Sequence, residues 1–152
     1  MPNDAAMSDN ALALVPGREC GDCALCCKVF PIPETGKADF ALCPQSRPGA
    51  GCAIHPSRPA TCREFFCLWR LDASLGEEWK PSVAGFVLHD PLPWTLLISC
   101  DIDNPDAWRR EPYASQISDW AVELQRRQML MGRRVGGETF VVLRDREVGL
   151  DG

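Results

Sequence analysis

The sequence predicts an α+β fold: a small cysteine-rich half with one helix, packed on a three-stranded antiparallel sheet plus one longer helix. Three observations lead to this prediction. Eight of the nine cysteines lie between Cys20 and Cys67, two apolar β-rich runs follow, and apolar residues then recur at helical spacing. A chain of 152 residues has material for one modest core, so we expect a flexible tail over 1–17 and a single domain over 18–152.

The regular half of that domain, over 76–144, supplies the sheet and the longer helix. The apolar runs Val83–Leu88 and Trp94–Cys100 predict two antiparallel strands, joined by a turn that two prolines stiffen. Apolar residues at helical spacing predict the helix from about 113 to 131, with Gly132 placed to end it. Thr139–Leu143 then predicts the third strand.

One helix is predicted inside the cysteine-rich half. Ser57 can cap it, Pro59 suits its first turn, and Ala60–Arg70 continues without Gly or Pro. Cys62 and Cys67 are five residues apart, so on an undistorted helix they would face about 140° apart. Such a helix would not bring these two thiols to one ion.

The spacing of the cysteines in the half over 18–71 predicts metal chelation. Cys20-x2-Cys23-x2-Cys26-Cys27 offers a metal several thiol ligands from one short stretch of backbone. This half is rich in Pro and poor in apolar runs, so coordination bonds are expected to substitute for a core. The predicted metal ligands are Cys20, Cys23, Cys26, Cys27, Cys43, Cys52, Cys62 and Cys67.

Disulfides are the competing explanation for so many cysteines, and they require an oxidising compartment. Residues 1–15 carry no Lys or Arg, and the apolar run Ala11–Val15 is too short for a secretion signal. We therefore expect a cytoplasmic location, where thiols stay reduced. An odd total of nine cysteines would also leave one without a disulfide partner.

Adjacent cysteines favour two metal centres. Cys26 and Cys27 point in different directions, so they cannot easily take two corners of one tetrahedron that also includes Cys23. Eight thiolates then divide into two four-thiolate zinc sites, each with a formal charge of about −2. The cationic side chains predicted to offset that charge are Arg18, Lys28, Arg58 and Arg63.

Iron is the alternative metal. Cys20-x2-Cys23-x2-Cys26 also matches the first three ligands of a bacterial 4Fe-4S ferredoxin motif, and Cys43-Pro44 supplies a distant Cys-Pro. The fourth ligand of that motif should follow after three residues, and Cys27 interrupts this spacing. Zinc is therefore placed ahead of iron or a 4Fe-4S cluster.

Two sequence blocks resemble the CxxCxxCC (YkgJ-type) cysteine-cluster family, whose members are described as zinc- or iron-chelating domains. The first is Cys20-Gly-Asp-Cys23-Ala-Leu-Cys26-Cys27, and the second is Gly51-Cys52-Ala-Ile54-His55-Pro-Ser-Arg58-Pro59-Ala-Thr-Cys62-Arg63-Glu-Phe65. The resemblance covers about residues 18–70 and implies metal binding by Cys20, Cys23, Cys26, Cys27, Cys52 and Cys62, with Cys43 at a less fixed position. Cys67 and His55 depart from the family pattern.

The remaining candidate residues have simpler roles. Cys100 ends an apolar strand and is predicted to be a buried thiol, and His89 is predicted to be an ordinary residue at a strand end. His55 follows Cys52 by three residues and could ligate zinc or only pack. A group of acidic residues after the second strand fits loop solvation and helix capping better than a hard-cation site: Asp101, Asp103 and Asp106.

Composition narrows the function classes. A net charge of −5 argues against a nucleic-acid partner, and no run approaches the roughly 20 apolar residues of a membrane span. No catalytic motif is present, so we predict no catalytic residues and no organic cofactor. The predicted function is a metal-stabilised binding module with a metal ion, and an unidentified protein, as partners. The alternative is an iron–sulfur protein for electron transfer or a cluster-assisted modification reaction.

Overall fold

The computed structural model describes residues 14–18, 25–38, 41, 43–44, 46–47, 51–52, 57, 60–64 and 67–150; at 27, 35, 46–47, 51–52 and 63–64 it describes the backbone alone. The strands in these residues are β1 Ser46–Arg47, β2 Gly51–Cys52, β3 Phe86–His89, β4 Thr95–Cys100, β5 Leu130–Val135, β6 Glu138–Val142 and β7 Glu147–Gly149. The helices are α1 Cys26–Val29, α2 Ala60–Glu64, α3 Leu68–Leu71, α4 Pro81–Ala84 and α5 Tyr113–Arg126, with 3-10 turns at Pro33–Thr35, Glu77–Trp79 and Ala107–Arg109.

Five strands form one mixed sheet in the order β3-β4-β5-β6-β7. Neighbouring strands are antiparallel except β4 and β5, which run parallel with Thr95 opposite Leu130 and Ser99 opposite Arg134. A parallel pair needs a long crossover connection, and α5 lies in the one between β4 and β5. The predicted three-stranded antiparallel sheet is therefore wrong: β5 and β7 add two strands, and one pairing is parallel.

The end of α5 explains why the sequence did not predict β5. The helix ends at Arg126, because Gln128 takes a left-handed conformation (φ 59) and the amides of Gln128 and Met129 bond back to the carbonyls of Gln125 and Leu124. This is the Schellman arrangement, which usually places Gly or Asn at the left-handed position. Gly132, predicted to end the helix, lies instead inside β5, where a Cβ would collide with the Leu97 side chain.

The core fills the space between the sheet and α5. One face of α5 is buried along its length, with Tyr113, Ile117 and Leu124 almost fully enclosed. Trp79 makes edge contacts with Tyr113 and Phe86 at ring-centroid distances of 5.1 and 5.9 Å. The Tyr113 hydroxyl donates a hydrogen bond to the Glu78 carbonyl at 2.5 Å, so this buried hydroxyl has a hydrogen-bond partner.

The helix predicted over 60–70 is interrupted. α2 covers Ala60–Glu64 and α3 covers Leu68–Leu71, while Cys67 between them is extended with φ −69° and ψ 156°. The predicted angle of 140° between Cys62 and Cys67 assumed one continuous helix, so it does not apply.

The bounds of the predicted strands agree more closely with the structure. The strand over 94–100 is confirmed within one residue by β4, and the third predicted strand by β6. The first strand begins later than Val83, because Pro81–Ala84 is a helical turn that Gly85 closes with φ 84°. In the described part of the chain, no helix is long and apolar enough to cross a membrane.

Candidate metal centre

The structure describes the predicted ligands unequally. Cys20 and Cys23 lie outside the described residues, and so does His55. Cys27 in α1 and Cys52 in β2 are described by their backbone alone. The other four predicted ligands have described side chains. The thiol of Cys43 is buried, and those of Cys26, Cys62 and Cys67 are half-buried.

Among the described side chains, no three Cys, His, Asp or Glu groups lie together in a way that could hold a metal ion. Four of the eight predicted ligand thiols are among these described side chains, and the other four are not. The structure does, however, show how the segments that carry the cysteines are held in place.

The segment 26–38, called the arm below, starts with α1 and turns back through an isolated bridge between Ile32 and Lys37. Lys37 is only 8% exposed, and its ammonium donates to the carbonyls of Lys28 at 3.1 Å, Ala38 at 3.0 Å and Phe30. One lysine therefore satisfies several carbonyls in and after α1 at once. Val29 and Ile32 of the same segment are buried, so the arm is a single folded unit.

Glu34 joins the arm to α2. Its carboxylate accepts hydrogen bonds from the Thr61 backbone amide at 2.9 Å and from the Thr61 hydroxyl at 2.6 Å. Orphan amides at a helix start are good anion partners, and these bonds hold the pKa of Glu34 below its usual range. Thr61 precedes Cys62, so this contact brings the arm to the backbone beside that cysteine.

The arm also contacts the end of β4. The Lys28 ammonium lies 2.8 Å from the Asp101 carboxylate and also pairs with Asp103. Hydrogen bonds to these two carboxylates raise the pKa of Lys28. The acidic residues after β4 are thus used for an ion pair with the arm. Asp106 binds Arg109 instead.

A second contact between the arm and the sheet is aromatic. The Phe30 ring meets the His89 ring edge to face at 4.9 Å. His89 was predicted to be an ordinary residue, yet it is 6% exposed and its Nε2 lies 2.8 Å from the Ser99 hydroxyl. Burial, with a smaller contribution from the charge of Arg134, lowers the pKa of His89 to about 3. The imidazole is therefore neutral at physiological pH.

Arg18 fixes the chain that leads into the cluster. Its guanidinium donates to the carbonyls of Trp69, Asp72 at 3.1 Å and Leu75 at 2.5 Å, and it stacks 4.9 Å from the Trp69 ring. The Val15 amide adds a bond of 2.8 Å to the Arg70 carbonyl. The segment before the first predicted ligand is thereby held against the residues that follow the last one.

Arg18 and Lys28 were predicted as counter-charges for thiolates, and the structure gives both of them other bonding partners, namely carbonyls and carboxylates. Arg58 lies outside the described residues, and the side chain of Arg63 is not described. The anchoring contacts of Lys37 and Glu34 were not predicted from the sequence, because no motif marks a lone lysine or glutamate that binds backbone groups.

The prediction for Cys100 is confirmed. The residue is fully buried in the core, and burial raises the pKa of its thiol to about 12. It therefore stays protonated at physiological pH.

Comparisons with protein-family models, with curated proteins and with solved structures gave no match.

Proposed function

We propose that this protein chelates a metal, with zinc preferred, through Cys20, Cys23, Cys26, Cys27, Cys43, Cys52, Cys62 and Cys67, and that it acts as a metal-stabilised binding module. The observation that carries this proposal is the spacing Cys20-x2-Cys23-x2-Cys26-Cys27 with four further cysteines before residue 68. Thiolates at short spacings are the ligands that structural zinc sites use. The resemblance to the CxxCxxCC cysteine-cluster family favours the same chemistry.

The architecture of the cysteine-rich half supports a structural metal. Its described elements are α-helices of four or five residues, a 3-10 turn of three residues and strands of two residues. Of the described side chains between 26 and 64, the buried ones are Val29, Ile32, Lys37 and Cys43. Apolar burial among these described side chains is small, and metal–thiolate bonds would help to offset the entropy of ordering the segment.

Two four-thiolate centres use all eight cysteines. The thiols of Cys26, Cys62 and Cys67 are half-buried and that of Cys43 is buried, and the proposed centres would complete their sets with the four cysteines whose side chains are not described. Closed zinc sites leave no open coordination position, which fits a binding or structural role better than catalysis.

An iron–sulfur protein is the second candidate, because the first three cysteines have ferredoxin spacing. It would transfer electrons or assist a modification reaction. Iron with an equal amount of sulfide and a visible absorption band would distinguish it from a zinc protein.

The test is elemental analysis of the chain purified without oxygen, with zinc, iron and sulfide counted per chain. We expect about two zinc ions and a colourless protein. A variant with Cys26→Ser and Cys27→Ser should lose metal, whereas Cys100→Ala, a matched control outside the cluster, should keep it. A metal-free protein with few free thiols after denaturation would support disulfides and exclude the proposal.

A further inference from the structure

The arm and α2 meet through one side chain. The arm carries Cys26, and Lys37 holds it as a unit, so fixing any residue of the arm also limits where Cys26 can lie. Glu34 is the arm residue that binds α2, through the amide and hydroxyl of Thr61. Cys62 is the next residue of that helix, and both cysteines are half-buried rather than sealed in the core.

This contact closes a long loop. Glu34 and Thr61 are 27 residues apart, and in an open chain the ends of such a loop meet in roughly one conformation in a hundred. A metal that takes ligands from both sides of the loop must either find this closed state or create it. Where a side chain already holds the loop closed, the apparent affinity rises in proportion to the fraction of closed molecules.

We infer that Glu34 is a positioning residue of the proposed metal centre: its carboxylate keeps the arm against α2, so that Cys26 and Cys62 bind the same ion. This inference depends on the proposed function, because it concerns the composition of that site. Glu34 is assigned a positioning role and not that of a ligand, because both of its carboxylate oxygens accept hydrogen bonds from Thr61.

The size of the effect follows from the exposure of the contact. Glu34 is an exposed side chain, so water competes for its carboxylate and the closed state is favoured only modestly. Hydrogen bonds of this kind change an equilibrium by about tenfold. We therefore expect Glu34→Ala to weaken binding of one zinc ion by about tenfold and to leave the other ion unchanged.

The experiment measures zinc affinity of the full chain by competition with a chromophoric chelator. The variants are Glu34→Ala, Glu34→Asp, Thr61→Val and the control Glu138→Ala, which removes an exposed carboxylate from β6. Glu34→Asp should recover part of the affinity, and Thr61→Val, which keeps the backbone amide, should lose less than Glu34→Ala. The control should match the wild type.

A double-variant cycle separates positioning from a general loss of stability. In a Cys62→Ser background, Glu34→Ala should have no further effect on zinc affinity, because the loop closure then serves no shared ion. If Cys62→Ser does not fold, the cycle is run with Thr61→Val and Glu34→Ala, whose effects should be less than additive.

Each outcome decides the inference. Equal zinc affinity of the wild type and Glu34→Ala would overturn it while leaving metal chelation intact. An undiminished effect of Glu34→Ala in the Cys62→Ser background would also overturn it, as would fully additive effects of Thr61→Val and Glu34→Ala. A wild-type chain that binds neither zinc nor iron would remove the proposed function and this inference together.

Discussion

The Arg133 guanidinium in β5 binds the Glu147 carboxylate in β7 through two hydrogen bonds of 2.8 Å each. The two strands are not neighbours, because β6 lies between them. The guanidinium crosses that strand over the Phe140 ring, 4.4 Å from its centroid. The pair is nearly enclosed, with side-chain exposures of 6% for Arg133 and 16% for Glu147. It therefore ties the last strand to the middle of the sheet.

Removal of one partner should be costly. Glu147→Gln leaves the Arg133 charge buried without its carboxylate, and we expect the free energy of unfolding to fall by about 3 kcal/mol. Urea denaturation followed by circular dichroism measures this change. Glu138→Gln, an exposed carboxylate in β6, should alter stability by less than about 0.5 kcal/mol. Equal stability of both variants would mean that the ion pair contributes little.

The sheet illustrates what local sequence can and cannot predict. β4 and β6 were predictable because each is a short run of apolar and β-branched residues. β5 was not predictable, because its sequence contains Gly132, Arg133 and Arg134. In addition, the end of the preceding helix α5 depends on Gln128 in the left-handed region. β7 has three residues and is specified mainly by its partner strand and by the Arg133 pair.

The candidate site shows the same division. The ligand types were read from cysteine spacing, which is local. The contacts that hold the segments depend on Arg18, Lys37 and Glu34 reaching carbonyls or amides, two of them far along the chain. Chain folding creates these pairings, so no short pattern encodes them.

His89 should make stability depend on pH. Its pKa lies at about 3 in the folded protein and near 6.5 when exposed, so the unfolded chain binds the extra proton first on acidification. The stabilisation from neutral His89 is fully present above pH 6.5 and is lost as pH falls toward 3. The unfolding free energy of the wild type minus that of His89→Gln should decrease by about 1.4 kcal/mol for each unit by which the pH is lowered within this window. A pH-independent difference would contradict the burial of a neutral imidazole.

Protonation of Asp90 should increase the stability of the fold on acidification, opposite to the effect of His89. Burial raises its pKa from 3.8 to about 6, so the folded state binds the extra proton between these values. The stabilisation from protonated Asp90 is present below pH 3.8 and is lost as pH rises through 6. Asp90→Asn removes this compensation, and its stability should therefore fall more steeply than that of the wild type on acidification from pH 6 to 4. Urea titrations at several pH values measure both slopes, and parallel slopes would show that Asp90 is solvated.

The Lys28 ion pairs should differ in strength. Asp101 has a side chain 20% exposed, whereas that of Asp103 is 77% exposed. We expect Asp101→Asn to lower the free energy of unfolding by about 1 kcal/mol, and Asp103→Asn by less than about 0.5 kcal/mol. The Asp101 effect should shrink only partly in 1 M salt, because partly buried pairs are screened less. Thermal unfolding of both variants at two salt concentrations tests the ranking, which equal losses would contradict.

Cys100 should resist alkylation in the folded protein. A thiol with a pKa of about 12 forms thiolate about a thousandfold less than one with the ordinary value of 9.0 at the same pH. Once a chelator has removed any bound metal, iodoacetamide at pH 8 should modify the half-buried Cys67 well before Cys100. Peptide mapping by mass spectrometry locates the adduct. Equal rates at Cys67 and Cys100 would mean that the core around β4 opens readily.

Metal removal should unfold the two halves unequally. The sheet and α5 share a core that includes Leu96, Ile98 and Ile117, and this core does not include Cys26, the arm cysteine whose side chain the structure describes. The described contacts of the arm with the sheet include the partly exposed Lys28 ion pairs and the Phe30–His89 ring contact, which are individually weak. A strong chelator should therefore increase hydrogen exchange at the Val29 and Phe30 amides by about a hundredfold, while the amides of Leu96 and Ile98 keep their protection. Exchange measured by mass spectrometry after proteolysis distinguishes the two regions. Loss of protection in β4 together with the arm would instead show that the chain folds as one cooperative unit and that the metal stabilises all of it.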